Sequence, residues 1–206
     1  MDDILHQASR YLNVWYTSRS AGITSYLLLF VSMISGISHS MKVLPARMRA
    51  VSLTLHQSSG WFGLLFGMVH SMVLIYDKYI GYSVSGMLIP FTAHTHPVLT
   101  GLGTLAFYGM LLLMLSSDLI KTIGKRAWRT IHMLAFPAFA MALVHGIMLG
   151  TDTKLGWVRD MYLLTGGAVA VLTVFRIWLA GKEKTSAKPA GSKAGLVERY
   201  HAAMKE

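Results

Sequence analysis

The chain has no cysteine, which excludes disulfide staples, thiolate-held zinc, iron–sulfur clusters and haem attached through thioethers. It is also poor in charge: only 14% of residues are Asp, Glu, Lys or Arg, and just 9 of them are acidic. A soluble domain carries about 25% charged residues. With 53% hydrophobic residues, the balance is that of a chain built for lipid. The formal charge of +10 invites comparison with nucleic-acid binders, but its distribution along the chain points to membrane topology instead.

Long stretches free of formal charge run between Arg19 and Lys42, from Ala50 to Tyr76, from Ile80 to Ser117 and from Thr130 to Thr151. A weaker one lies between Asp160 and Arg176, where snorkelling of Arg176 and interfacial Trp157 and Trp178 would complete a span. A span takes about 20 apolar residues. The pattern predicts helices over 20–38, 53–77, 97–117, 129–149 and 157–180, in a five-helix, all-α integral membrane bundle. Pro45, Gly81, Gly124 and Gly156 punctuate the connections. Residues 1–18 read as a short interfacial segment carrying Trp15 and Tyr16, 19–180 as the membrane domain and 181–206 as a solvated cytosolic tail. The start has acidic residues and no apolar core, unlike a cleavable signal peptide.

Lys and Arg are divided 14 to 5 between the two sets of connections. The excess, including Arg47, Arg49, Lys125, Arg126, Arg129 and the tail, lies on one side. The positive-inside rule then sets the N-terminus out and the C-terminus in, in a multi-pass cell-membrane protein with no call on nucleic acid as a partner.

Ionisable residues inside apolar helices are costly and usually functional. Here they are histidines in two pairs: His56 and His70, fourteen apart, and His132 and His145, thirteen apart. Fourteen residues return a helix to within about 40° of its start and advance it about 21 Å. His56 and His70 therefore share a face, with Gly60, Gly63 and Gly67 between them on the same stripe. Such a stripe alone suits a closely packed neighbouring helix, but between two histidines Gly60, Gly63 and Gly67 are read as making room for a flat macrocycle, as cofactor-binding positions. Thirteen residues leave an offset of about 140°, and Pro137 lies between His132 and His145, where it can kink the helix. Phe136 and Phe139 would fall in the gap between the two histidine levels.

The second and fourth helices are parallel in a five-span chain, so His56 and His132 fall near the inner face and His70 and His145 near the outer face. Two imidazoles per level is the donor set for bis-histidine ligation of haem iron. Low-spin iron so held has no open position and serves electron transfer. Arg19, Arg49, Arg126 and Arg129 are candidates for the propionates. His94 and His96, in AHTHP before the third helix, suit either a metal ion or a solvated loop. Hydrogen-bonded histidines in a transporter or structural membrane protein are the alternative from a different class.

Three segments resemble the ferric reductase-like transmembrane domain shared by ferric reductases and NADPH oxidases. SRSAGITSYLLLFVSMISG is similar to that family's Arg-x-x-Gly opening and Leu-rich first span. HQSSGWFGLLFGMVH resembles its His–x13–His helix, and WRTIHMLAFPAFAMALVH its Trp-Arg-x-x-His segment and His–x12–His helix. The resemblance covers roughly 18–180. It implies two b-type haems, the inner on His56 and His132 and the outer on His70 and His145. It also implies a role for Arg19, and electron flow from the cytosol to an extracytoplasmic acceptor. The family's oxidases continue into FAD and NADPH domains; no Gly-rich dinucleotide fingerprint occurs in this tail. A separate flavoprotein or quinol donor is therefore expected, and flavin on this chain stays open. A stand-alone layout of this kind also occurs in a haem-binding membrane subunit serving a periplasmic methionine sulfoxide reductase, which offers a quinone-linked anchor as an alternative.

The charge asymmetry makes a direct prediction. A reporter fused after Glu206 is active only in the cytoplasm, and activity there of a periplasm-dependent reporter reverses the orientation and exchanges the inner and outer levels.

Overall fold

The computed structural model describes residues 13–41, 44–76, 82–186, 200–201 and 203–204. Its elements are α1 (Val14–Met41), α2 (Ala46–Leu74), the short α3 (Val84–Leu88), α4 (Pro97–Asp118), α5 (Ile120–His132), α6 (Ala135–Leu149), a 3-10 turn (Thr151–Lys154) and α7 (Gly156–Ser186). No strand occurs among the described residues. The protein is all-α, and three helices, α1, α4 and the Gly156–Lys182 part of α7, are long and apolar enough to cross a membrane; α5 with α6 makes a fourth if that bent pair is one span.

The spans sit where the charge-free runs predict, with three differences. First, α1 begins at Val14, so Trp15 and Tyr16 belong to its first turn rather than to a separate segment; residues 1–12 lie outside the described residues. Second, α2 has the length of a span but not the apolarity, because Arg47, Arg49, Ser52, Thr54, His56 and Gln57 crowd its first half. Third, the expected helix over 129–149 is broken between His132 and Ala135, with a 45° bend. Pro137 accounts for the position. It has no N–H for the carbonyl of Met133, four residues back, and its ring clashes with that carbonyl. A second break in α5 comes at Gly124, whose φ of 80° only glycine adopts without strain.

α1 is the organising helix. It packs along α2 on one side and against α6 and α7 on the other, while α4 packs against α6 and α2. Tyr26, Ile37, Phe139, Val158, Tyr162 and Val169 form the buried cluster where α1, α6 and α7 meet. Tyr26 stacks on Phe139 at 5.6 Å between ring centroids and donates or accepts a 2.7 Å hydrogen bond with Thr165. Outward-facing Leu163, Leu164, Val171, Val174 and Ile177 of α7 are exposed, as lipid-facing residues are.

α1 and α2 are held by a ladder with a seven-residue step. Ser18, Ser25, Ser32 and His39 on α1 hydrogen-bond to His70, Gly63, His56 and Arg49 on α2. Each rung is seven residues from the next on both helices, running in opposite directions. A seven-residue repeat is close to two helical turns, so one seam of each helix stays turned to the other.

Two side-chain clasps close the ends. Arg19 donates from Nε to Asp152 Oδ2 at 2.6 Å, with a second contact to Oδ1, and ties α1 to the 3-10 turn before α7. Arg176 donates to Ser40 at the other end of α1, so its head group reaches the level of the α1 terminus. Asp152→Asn removes the charge from the first clasp; hydrogen bonds to charged groups are worth about 1.5–3 kcal/mol. The thermal midpoint in detergent falls, and the exchanged pair Arg19→Asp with Asp152→Arg recovers part of the loss.

A candidate pair of two-imidazole sites

His56, His70, His132 and His145 come together in the predicted pairs. His56 and His132 have ring centroids 5.8 Å apart and His70 and His145 6.3 Å apart. The ring planes are crossed at 74° and 83°. Two imidazoles bound to one metal from opposite sides, at about 2 Å per metal–nitrogen bond, place their centroids roughly 6 Å apart. Both pairs have that separation. The bend between α5 and α6 lies between His132 and His145, and it removes the angular mismatch that thirteen residues impose on a straight helix.

Three of the four rings are seated in the same way. His70 Nδ1 donates to the carbonyl of Ser18 at 2.8 Å, His56 Nδ1 to that of Ser32 at 2.9 Å, and His145 Nδ1 to that of Leu99 at 2.8 Å. A carbonyl oxygen only accepts, so the hydrogen is on Nδ1 and the lone pair on Nε2. That is the tautomer a metal needs, with the outer nitrogen already held. Four residues after each carbonyl is a glycine. A methyl at Gly22 would lie 2.9 Å from His70 Nδ1, one at Gly36 2.9 Å from His56 Nδ1, and one at Gly103 2.7 Å from His145 Nδ1. The carbonyl of a helical residue bonds the N–H four residues on and keeps a second lone pair. The glycine clears the way to it. The hydroxyls of Ser18 and Ser32 add contacts to the same nitrogens, at 3.1 and 3.0 Å.

His132 differs. Its Nδ1 is buried and has no hydrogen-bond partner, alone among the buried side-chain nitrogens and oxygens of the described residues. Its ring is stacked on Trp128 at 4.8 Å, and the Trp128 indole donates to Ser117 at 3.2 Å.

Between His56 and His132 is an apolar cavity lined by Leu29, Gly60, Met110, Met114, Ala138 and Phe139. Gly60 thus borders the space between the rings, where a methyl would lie 3.1 Å from Met114 Cε. Gly63 faces the backbone of α1 instead, and Gly67 faces Ser25 and Phe107, which is helix packing of the kind small residues permit. Arg19 is committed to Asp152 and lies over the Trp15 ring at 5.4 Å. Arg129 is exposed at the end of α5, with Arg126 one turn before it. His94 and His96 are exposed in the loop before α4, His96 with a left-handed φ of 47°.

Among the described residues no three or more His, Cys, Asp or Glu side chains cluster as a metal site, so the histidines offer two donors per site. That suits a metal whose other four positions come from a macrocycle, as in haem. Paired rings at ligand distance and three fixed tautomers are chemically compatible with that donor set, and apolar walls surround the His56 and His132 pair. The seats themselves were not read from the sequence. Their signal is Ser-x-x-x-Gly occurring twice on α1, fourteen residues apart, the same interval as the histidines of α2.

No family model, curated protein or solved structure matches the chain.

The seats can be probed without any ligand. Gly103→Ala drives a methyl into the His145 ring and costs about 1–3 kcal/mol by overpacking. Gly167→Ala, on α7 where nothing lies within 4 Å, gains up to about 1 kcal/mol of helix propensity. Thermal unfolding in detergent separates the two variants in opposite directions.

Proposed function

We propose that this chain is a membrane cytochrome of the b type that holds two haems, the inner on His56 and His132 and the outer on His70 and His145, and passes electrons between the two sides of the membrane. The observation that carries the reading is the pairing of four imidazoles at 5.8 and 6.3 Å with three Nδ1 hydrogens given to backbone carbonyls. Interhelical bonds of this kind would equally suit purely structural histidines. Structural histidines have no need to meet a second imidazole at metal distance, and two pairs do so.

Bound haem supplies a one-electron couple. The protein's part is positional. The carbonyls of Ser18, Ser32 and Leu99 fix ring orientation and tautomer, and the apolar walls around His56 and His132 exclude water. Phe139 stands beside the inner pair and stacks on Tyr26, filling the interior so that the two levels are joined by packed atoms.

The same reading makes α2 a fifth span. Its His56 and His70 turn to α1, and His56 and Gly60 border the cavity, while Leu55, Phe62, Leu65, Phe66, Met68 and Met72 are exposed, as are Thr54, Gln57 and Ser58 in its first half. A helix with its histidines inward and a largely apolar outer face suits lipid despite modest average hydropathy. With five spans, the charge asymmetry sets the N-terminus out, and Arg129 at the end of α5 is on the inner side, where a propionate would meet it. Arg19, paired with Asp152, acts as a clasp. The resemblance to the ferric reductase-like domain supports an outer electron acceptor, with electrons delivered by a separate flavoprotein or by quinol.

The test is haem stoichiometry. Purified protein gives two haems per chain in a pyridine haemochrome assay, all extractable with acid acetone. His70→Ala or His145→Ala leaves one haem, and that haem is still reduced from the cytosolic side in oriented vesicles. His56→Ala or His132→Ala stops reduction of the outer haem by a cytosolic donor. Absence of haem in wild-type protein, or loss of the same haem from His56→Ala and His70→Ala, overturns the assignment.

A further inference from the structure

The two histidine pairs are not equivalent. Both rings of the outer pair are seated on carbonyls, His70 on Ser18 and His145 on Leu99. In the inner pair only His56 is seated, on Ser32, and His132 Nδ1 is buried without a partner. The reason is visible on α4. The seat for His145 is Leu99 with Gly103; fourteen residues further, at the interval that separates the two seats on α1, stand Leu113 and Ser117. The Leu113 carbonyl already accepts the hydroxyls of Ser116 at 3.0 Å and Ser117 at 2.8 Å, and Ser117 in turn accepts the Trp128 indole. Side chains fill the place of a fourth seat.

We infer that this missing hydrogen bond makes the inner centre the more easily reduced of the two, so that a single electron entering the chain rests on the inner side. The inference rests on the haem reading above. An imidazole that gives its Nδ1 hydrogen to a carbonyl is a more basic ligand and stabilises ferric over ferrous iron. The outer centre has two such ligands and the inner centre one. A preference of about tenfold for the ferric over the ferrous state corresponds to 59 mV for a one-electron couple. His132 acts here as a tuning ligand and Ser117 as the residue that withholds its partner. Passage from the inner to the outer level is then uphill by that factor, and the outer acceptor must draw the electron across.

The experiment is a redox titration of haem-loaded full-length protein in detergent, followed optically. Wild type titrates in two one-electron steps separated by about tenfold in equilibrium constant, 59 mV. His70→Ala, and independently His145→Ala, retains one haem that titrates at the higher step. A retained haem at the lower step, or wild-type steps that coincide, overturns the inference while leaving the two-haem reading intact. Absence of haem overturns that reading itself. Repeating the titration in about 1 M salt, where exposed charges are screened beyond about 3 Å, separates the ligand effect from the inner-side cations. The separation persists if the seats set it, and its collapse overturns the inference.

Discussion

The hydrogen bond from an imidazole Nδ1 to a backbone carbonyl of the neighbouring helix is the interaction on which the rest of the arrangement depends. A histidine in an apolar bundle needs a partner for its N–H, because an unmet polar group there costs several kcal/mol. The helix backbone has carbonyls in plenty, but a side chain four residues on normally covers the second lone pair. Gly22, Gly36 and Gly103 remove that cover. Once the ring is down on the carbonyl, its tautomer, its plane and the direction of Nε2 are settled together. Ser18 and Ser32 show why α1, which contributes no imidazole to either pair, still governs both.

Much of this was legible in the sequence. Charge-free runs located the helices because lipid tolerates few charges. The interval between His56 and His70 gave a shared face because fourteen residues nearly close four turns. The pairing of levels followed from parity alone. The thirteen-residue interval was ambiguous for a physical reason: its outcome depends on where Pro137 breaks the helix, and backbone rearrangement around a proline involves the partners the freed carbonyls find. The break at Met133 and Leu134 resolves it.

What the sequence hid were relations between helices. Gly63 and Gly67 shared the stripe of His56 as predicted, but the stripe is wide enough to face two neighbours, and these two glycines meet α1 while Gly60 borders the cavity. Arg19 looked like a free outer-side cation, and its ion pair with Asp152 joins residues 133 positions apart. Gly22 closes the Arg-x-x-Gly motif, and only the antiparallel contact of α1 and α2 shows that it makes room for His70. The unpartnered nitrogen of His132 has no signature in the sequence, because it is a property of the packing around the ring.

The seven-residue ladder between α1 and α2 is also a ruler. Because every rung advances by the same count on both helices, a one-residue insertion between Ser18 and Ser32 would rotate everything beyond it by about 100° and take Ser32 and Gly36 away from His56 together. Only matched insertions of seven residues in both helices keep the seam, and each lengthens the interval between the two levels by about 10.5 Å. The distance between the centres is therefore quantised. A bundle built this way can drift freely in its outward-facing sequence, but it can change the spacing of its two histidine pairs only in whole steps.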